Sequence, residues 1–265
     1  MIINEQTPIE KYHIKDRDIY VKREDLSCNY PAPFLSKLRG VYKRLEKVRA
    51  MGYKKIGVFD TRISKAGWGV SAIAQELGGL EVFNFYPHLK QYKETPYNQQ
   101  KVLELGGKLF PMEGGRTAVL YALAKRIMEQ ENIYIMPLGL CIEETFFETK
   151  KIAEKIEDFL GGSLVVCIGS GMITSGIAAG LSKKLKNIYA ISAGMSPERQ
   201  FRRIKNFIEI PENLTIIKSQ EDYYYQEKIE TPFPCSEYYD KKAWRWLLEN
   251  LEKLTDPILF WNIGV

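Results

Sequence analysis

A glycine-bounded turn between a predicted strand and a predicted helix carries the clearest chemistry in this chain. The apolar run Leu164–Ile168 predicts a strand buried on both faces, and Ile173–Leu181 predicts a helix of small, tightly packed residues. Between them, Gly169 and Gly171 let the backbone approach a ligand and turn its N–H groups toward an anion at the positive end of the helix dipole. The segment predicts a phosphate-binding turn, and an ordinary tight strand-to-helix turn is the alternative interpretation.

Two common nucleotide-binding motifs do not match this turn. No Lys-Ser or Lys-Thr pair follows it, as a Walker loop requires, and no acidic residue stands where a dinucleotide ribose would need one. The ligand of the turn must therefore be identified from the rest of the chain.

The composition indicates a globular protein without a membrane span or a zinc site. The chain has 265 residues, 45% of them hydrophobic, which suffices for one large α/β domain or two small ones. No apolar run approaches about 20 residues, and the first residues lack the features of a signal peptide, so we expect a cytoplasmic protein without membrane contact. Four scattered cysteines and two histidines predict no metal site.

The charge pattern is mildly basic. The net charge is +5, and basic residues concentrate in the segments 37–49 and 199–205. A solvated helix face is the favoured interpretation of each cluster, and contact with an anionic partner is the alternative.

Strands alternate with helices along most of the chain, which predicts an α/β fold with parallel sheets covered on both faces. Because no flexible linker stands out, we expect a smaller domain, residues 48–148, inserted into a larger one formed by residues 1–47 and 149–265. The pattern also predicts long helices over 143–159 and 236–254, and an irregular surface loop over 220–233.

Four motifs then occur in a fixed order. They are Thr7-Pro8-Ile9 with Ile19–Leu26 (IYVKREDL), Phe34–Gly40 (FLSKLRG), Gly169–Gly176 (GSGMITSG) and Leu259–Gly264 (LFWNIG). This series resembles the fold-type II pyridoxal-phosphate enzymes, and most closely the branch that contains 1-aminocyclopropane-1-carboxylate deaminase and D-cysteine desulfhydrase. The similarity spans essentially the whole chain, although only the first motif is close letter for letter. The resemblance implies two open parallel-sheet αβα domains, the smaller inserted in the larger, and a homodimer.

The resemblance implies pyridoxal 5′-phosphate as cofactor and Lys37 as the Schiff-base lysine. Such an amine must lose its proton to condense with an aldehyde, whereas a surface lysine at a helix start is the structural alternative. The resemblance implies that the turn binds the cofactor phosphate. Because Ile263 stands where the family has the threonine that meets the ring nitrogen, Asn262 or a residue from elsewhere in the chain must serve there. The expected residues of the turn are Gly169, Ser170, Gly171, Met172, Ile173 and Thr174.

The segment Asp60–Gly69 corresponds to the family loop that holds the substrate carboxylate, but it lacks an evident asparagine. Ser64 and Lys65 are the catalytic candidates in this loop, with Lys65 as the second candidate for the Schiff-base lysine. A solvated loop lysine is the structural alternative.

Three functions follow from these observations. The first is an enzyme that labilises a bond at Cα of an amino acid or amino-acid-like group, by elimination, deamination or decarboxylation. A version of it acts on an amino-acid moiety attached to a nucleic acid, with the basic helix faces contacting phosphates. The second is a non-catalytic descendant that binds the cofactor or another ligand. The third is an unrelated nucleotide-binding α/β protein with a coincidental glycine turn.

Overall fold

The computed structural model describes residues 2–88 and 94–265, and the chain divides into two compact units. The six-stranded unit comprises Ile3–Cys28, Phe34–Gly40 and Glu143–Val265, and the four-stranded unit comprises mainly Asn29–Pro33 and Val41–Ile142. The main divisions between the two units thus fall after Gly40 and after Ile142. They lie a few residues before the predicted domain boundaries at 47/48 and 148/149. That these units are independently folding domains stays a prediction.

The six-stranded unit contains one sheet with the order β1-β2-β10-β7-β8-β9. Its strands are β1 (Ile9–Ile14), β2 (Arg17–Arg23), β7 (Ser163–Ile168), β8 (Asn187–Ser192), β9 (Leu214–Lys218) and β10 (Ile258–Asn262). All neighbours are parallel except β1 and β2. The fully buried β7 and β10 form its centre, as expected for strands covered on both faces.

The edge strand β1 was not predicted from the sequence. Its residues alternate between exposed and half-buried positions, so the segment lacks the apolar face on which strand prediction relies. The observed architecture otherwise confirms the predicted α/β class with parallel sheets.

Helices cover both faces of this sheet. They are α5 (Glu143–Glu154), α6 (Met172–Leu181), α7 (Pro197–Ile204) and α8 (Asp240–Glu249). Predictions of helix over 143–159 and 236–254 were therefore too long, because tight turns end α5 early and a separate 3-10 turn, Leu251–Lys253, follows α8. Residues 220–233 are irregular, as predicted.

The four-stranded unit has a parallel sheet with the order β5-β4-β3-β6. Its strands are β3 (Lys55–Phe59), β4 (Glu81–His88), β5 (Lys108–Glu113) and β6 (Tyr134–Ile135), and its helices are α2 (Ala66–Leu77), α3 (Tyr97–Glu104) and α4 (Thr117–Gln130). Helix α1 (Leu38–Ala50) begins in the segment assigned to the six-stranded unit. The core of this unit includes Phe59, Phe85 and Met128.

No helix within residues 2–88 and 94–265 combines the length and the apolar character that a membrane crossing requires.

Close packing of α5 against α6 depends on glycine. A Cβ added to Gly176 would lie 2.6 Å from Cβ of Thr149 and 2.8 Å from the carbonyl oxygen of Phe146. A methyl group therefore cannot enter without moving the backbone of α5. Because α6 begins at the glycine turn, this contact also fixes the position of the turn.

We predict that Gly176→Ala lowers the free energy of unfolding by about 1–3 kcal/mol, since overpacking outweighs the gain in helix propensity. Urea denaturation followed by circular dichroism measures the change. Ala179→Gln, on an exposed position of the same helix, is the control and should stay within about 0.5 kcal/mol. Equal stability of Gly176→Ala and the wild-type protein would show that α5 and α6 can move apart freely.

Candidate functional site

The glycine turn joins the central strand β7 to α6. Gly171 has a φ of +92°, a left-handed conformation that favours glycine, and it forms the N-cap of α6. No side chain caps this helix start, so the N–H groups of its first turn face outward without an intrahelical partner. Gly169 borders open space, because a Cβ added there would meet no atom within 4 Å. The turn therefore has the geometry of an anion site.

A buried glutamine holds the turn from the side of α7. Nε2 of Gln200 donates to the carbonyl oxygen of Gly169 at 2.8 Å, and the Gln200 side chain is fully buried. One helical turn later, Cγ1 of Ile204 lies 3.5 Å from the position of a Cβ on Gly171. The turn is thus supported by one face of α7.

The predicted lysine meets the turn. Nζ of Lys37 donates to Oγ of Ser170 at 3.1 Å, across 133 positions of sequence, and both residues belong to the six-stranded unit. Ser170 is buried and Lys37 is half-buried. The lysine is therefore not a solvated residue at a helix start, which was its alternative interpretation.

The carboxyl-terminal segment fixes the backbone that carries Lys37. The Ser36 N–H donates to the Ile263 carbonyl at 3.0 Å, and the Val265 N–H donates to the Phe34 carbonyl at 3.0 Å. An antiparallel bridge joins Leu35 to Gly264. The lysine thus stands at the end of a short strand pairing that immediately follows β10.

Asn262 is the last residue of β10, and only one of its two side-chain polar atoms has hydrogen-bond partners among the described residues. Its Nδ2 donates to Oδ1 of Asp25 at 2.9 Å and to the Pro234 carbonyl at 2.8 Å. Its Oδ1 is buried and has no hydrogen-bond partner among the described residues. A buried acceptor without a donor is costly, which indicates that a ligand supplies the donor.

Two buried carboxyl groups bind the end of β10, Asp25 at Asn262 and Asp240 at the next residue, Ile263. Asp25 accepts hydrogen bonds from Nε and Nη2 of Arg23, at 2.9 and 2.8 Å. Oδ1 of Asp240 accepts the Ile263 N–H at 3.2 Å. Burial, with a smaller contribution from the charge of Asp25, raises the pKa of Asp240 to about 8, so this carboxyl is mostly protonated at neutral pH.

The other two predicted residues, Ser64 and Lys65, lie in the four-stranded unit, in the loop between β3 and α2. Lys65 is the N-cap residue of α2. The Ser64 hydroxyl donates to Oδ1 of Asp60 at 2.6 Å and accepts the Ala66 N–H at 3.1 Å. The structure therefore gives the Ser64 hydroxyl an internal partner.

Asp60 organises this loop. Its Oδ2 accepts the Gly67 N–H at 2.9 Å and Nδ2 of Asn84 at 2.8 Å. The side chain is completely buried, and burial raises the pKa of Asp60 to about 6 although these hydrogen bonds oppose the shift. The first turn of α2 thus already holds a carboxylate of the protein itself.

Comparison with known proteins identifies the family. Residues 3–238 match the model of the pyridoxal-phosphate dependent enzymes. The chain belongs to this family. A protein of Pseudomonas phage M6, described as a glycyl-dTMP PLP-dependent decarboxylase, is 36% identical over 283 aligned positions that cover both chains completely.

Solved structures agree with the fold. An ACC deaminase homologue superposes with a TM-score of 0.82 at 18% identity, over all of this chain and 90% of the other. Threonine deaminase isoform 2 from Solanum lycopersicum gives a TM-score of 0.69 at 15% identity, over 99% and 80% of the two chains. The predicted family, fold type and cofactor are confirmed.

The residues present fit pyridoxal phosphate. The cofactor carries a phosphate, an aldehyde and a ring nitrogen, and the six-stranded unit offers an uncapped helix start, an amine and a buried unpaired oxygen. These three groups come from Gly171, Lys37 and Asn262, in three separate segments of the sequence.

Several supporting residues were not predicted from the sequence. Asp25 lies inside a recognised motif, but nothing in its spacing indicated a bond to Asn262, 237 positions away. Gln200 and Ile204 are four residues apart and could have been recognised as one helix face. Asp60 follows β3, and Asn84 lies inside the neighbouring parallel strand β4, opposite Val58, so only the register of the two strands brings them together.

The pKa of Asp60 generates a prediction on stability. Because its folded-state pKa, about 6, lies above the ordinary 3.8, the native state binds the proton more tightly than the unfolded state. Stability from this group is therefore complete below about pH 4 and is lost as the pH rises through about 6. Asp60→Asn removes this dependence. Urea denaturation from pH 4 to pH 7 should show the wild-type protein losing stability relative to the variant, and a constant difference would contradict the prediction.

Proposed function

We propose that this enzyme is a decarboxylase that removes the carboxylate of an amino-acid unit attached to a thymidine nucleotide. The observation that carries the proposal is the 36% identity to the phage M6 decarboxylase in an alignment that covers 100% of both chains. The phage protein's description names both the reaction and the nucleotide-linked substrate. The basic balance of this chain is consistent with an anionic substrate.

The phosphate turn binds the cofactor in this proposal. The backbone N–H groups of Met172, Ile173 and Thr174 at the start of α6 would bind the phosphate, and the Ser170 hydroxyl would add a side-chain donor. Gly169, which borders open space, keeps its side of the approach free of side chains. When bound, pyridoxal phosphate supplies an electron sink for the bond that breaks at Cα.

Lys37 provides the amine. Its hydrogen bond to Ser170 holds Nζ at the turn, within reach of a ligand anchored there. Loss of the carboxylate leaves Cα in need of a proton, and Lys37 Nζ is the group that we assign to deliver it. Thr145 steadies the lysine backbone, since its hydroxyl donates to the Lys37 carbonyl at 3.4 Å.

Asn262 orients the ring nitrogen. Its Oδ1 would accept a hydrogen bond from a protonated ring nitrogen of the cofactor, because its Nδ2 already donates to Asp25 and Pro234. Arg23 in turn fixes Asp25 through two hydrogen bonds. This chain of contacts sets which face of the amide points at the ligand.

Ser64 and Lys65 take secondary roles. The hydrogen bonds of Ser64 to Asp60 and Ala66 shape the loop, which makes Ser64 a positioning residue. Lys65 stays the second candidate for the covalent lysine. We further propose a homodimer in the cytoplasm, which the resemblance to fold-type II enzymes supports; light scattering of the purified enzyme checks the dimer.

We predict that the purified enzyme, loaded with pyridoxal phosphate, releases carbon dioxide from glycyl-dTMP and leaves the amine on the nucleotide. Trapped carbon dioxide and mass spectrometry of the product measure the two halves of this outcome. A deaminase would instead release ammonia. A mixture of dTMP and free glycine is the control, and the enzyme should leave both compounds unchanged. Ammonia without carbon dioxide would overturn the assignment of the reaction.

We predict that Lys37→Ala abolishes the visible absorption of the bound cofactor and prevents borohydride from fixing the cofactor to the protein. Lys65→Ala is the matched control, and it should keep both properties because Lys65 caps a helix in the other unit. Peptide mass spectrometry of the borohydride-treated wild-type protein locates the modified residue. Modification of Lys65 in place of Lys37 would reverse the assignment.

A further inference from the structure

A stripe of arginines lies on α7, the helix that supports the phosphate turn. Arg199, Arg202 and Arg203 follow at intervals of three and four residues, so they share one side of the helix. The adjacent side, with Gln200 and Ile204, is buried against the turn. We call these three residues the arginine stripe.

The arginines of the stripe form no salt bridge among the described residues, although Glu198, one helical turn before Arg202, attracts Arg202 electrostatically. No carboxylate lies within ion-pair distance of Arg199, Arg202 or Arg203 among the residues that the structure describes. Basic residues on other helices do have such partners, as in the pairs Lys101–Glu104 at 2.6 Å, Lys150–Glu154 at 3.5 Å and Lys125–Glu129 at 3.6 Å. Guanidinium groups that form no salt bridge match the oxygen geometry of phosphate.

The stripe borders the cofactor turn. Cβ of Arg203 lies 3.7 Å from the position of a Cβ on Gly171. Arg199 and Arg202 are exposed, and Arg203 is half-buried. A phosphate chain on this side of α7 would therefore run past the turn.

Exposed aromatic rings stand near the start of α7. Gly194, three residues before the helix, is so close to Tyr223 that an added Cβ would lie 2.7 Å from the Tyr223 nitrogen. The Tyr223 hydroxyl bonds that of Tyr239 at 2.5 Å, and the Tyr224 ring meets the Tyr223 ring edge-on at 5.0 Å. Tyr224 and Tyr225 are 56% and 43% exposed, so part of each side chain is accessible to a partner.

We propose that the arginine stripe and these two tyrosines bind a DNA strand, so that the enzyme acts on its nucleotide within the polymer. The arginines bind backbone phosphates, and the tyrosine rings stack on bases of the strand. This inference rests on the proposed function for the nucleotide itself, but it concerns a surface outside the cofactor site. A positively charged surface that follows the backbone, combined with aromatic rings on which bases stack, is the usual composition of single-stranded nucleic-acid sites.

The test measures binding of a fluorescent, unmodified single-stranded DNA oligonucleotide to the cofactor-loaded enzyme at several salt concentrations. Arg199→Gln with Arg202→Gln should weaken binding about tenfold and lower the salt slope by about 1.4, since each single-strand phosphate contact contributes roughly 0.7. Tyr224→Ala should weaken binding roughly tenfold with little change in slope. Lys183→Gln with Lys186→Gln removes the same charge just beyond the other end of α6 and should change neither quantity.

Two outcomes would contradict the proposed DNA-binding surface. One is unchanged DNA binding in the arginine variant, and the other is an equal loss of DNA affinity in the lysine control. Cofactor absorption and thermal unfolding of each variant verify that the protein is folded. Carbon dioxide release from free glycyl-dTMP is measured in parallel, and the arginine variant should retain it while losing activity on the same nucleotide placed in an oligonucleotide. If neither substrate releases carbon dioxide but DNA binding still depends on the arginines, the proposed reaction is refuted and the DNA-binding surface is supported.

Discussion

The pairing between the segment before α1 and the carboxyl-terminal segment is the constraint on which the site depends. Phe34 and Ser36 bond to Val265 and Ile263, and Leu35 bridges Gly264. Gly264 has no side chain, and any Cβ there would overlap the Phe34 carbonyl. This close pairing ties Lys37 to the end of β10, whose parallel neighbour β7 leads into the glycine turn. The lysine and the turn meet because their two strands are neighbours in one sheet.

Buried charge provides the second level of organisation. Arg39 bonds to Glu24, Arg23 bonds to Asp25, and Asp25 bonds to Asn262, all within the six-stranded unit. Buried ion pairs contribute little net stability, because desolvation offsets the attraction, but removing one partner leaves a costly unpaired charge. We interpret the network as a device that fixes geometry. It holds the Asn262 amide in one orientation and thereby presents a single acceptor atom.

The same logic applies to the loop after β3. There Asp60 fills the start of α2 with a carboxylate that belongs to the protein, and it engages Ser64 and Asn84 as well. The helix start in this unit is thereby capped from within, whereas the start of α6 has no side-chain cap. The N–H groups at the start of α2 are partly used by Asp60, whereas those at the start of α6 are available to an anion from outside the protein. In the proposal, α7 extends the open anion site outward with arginines, so phosphate binding continues from the cofactor to the polymer.

The sequence by itself determined the alternation of strands and helices, the buried strand before the glycine turn, and four ordered motifs that name the family. These are local patterns, and burial on both faces or a left-handed glycine leaves a local trace in the residue types. Only the tertiary structure decided that Lys37 Nζ reaches Ser170, that Asn262 keeps a free oxygen, and that Ser64 is bound to Asp60. Those facts depend on side chains from distant segments meeting at strand ends. The order of strands in a sheet, which governs such meetings, leaves no mark on the residues themselves.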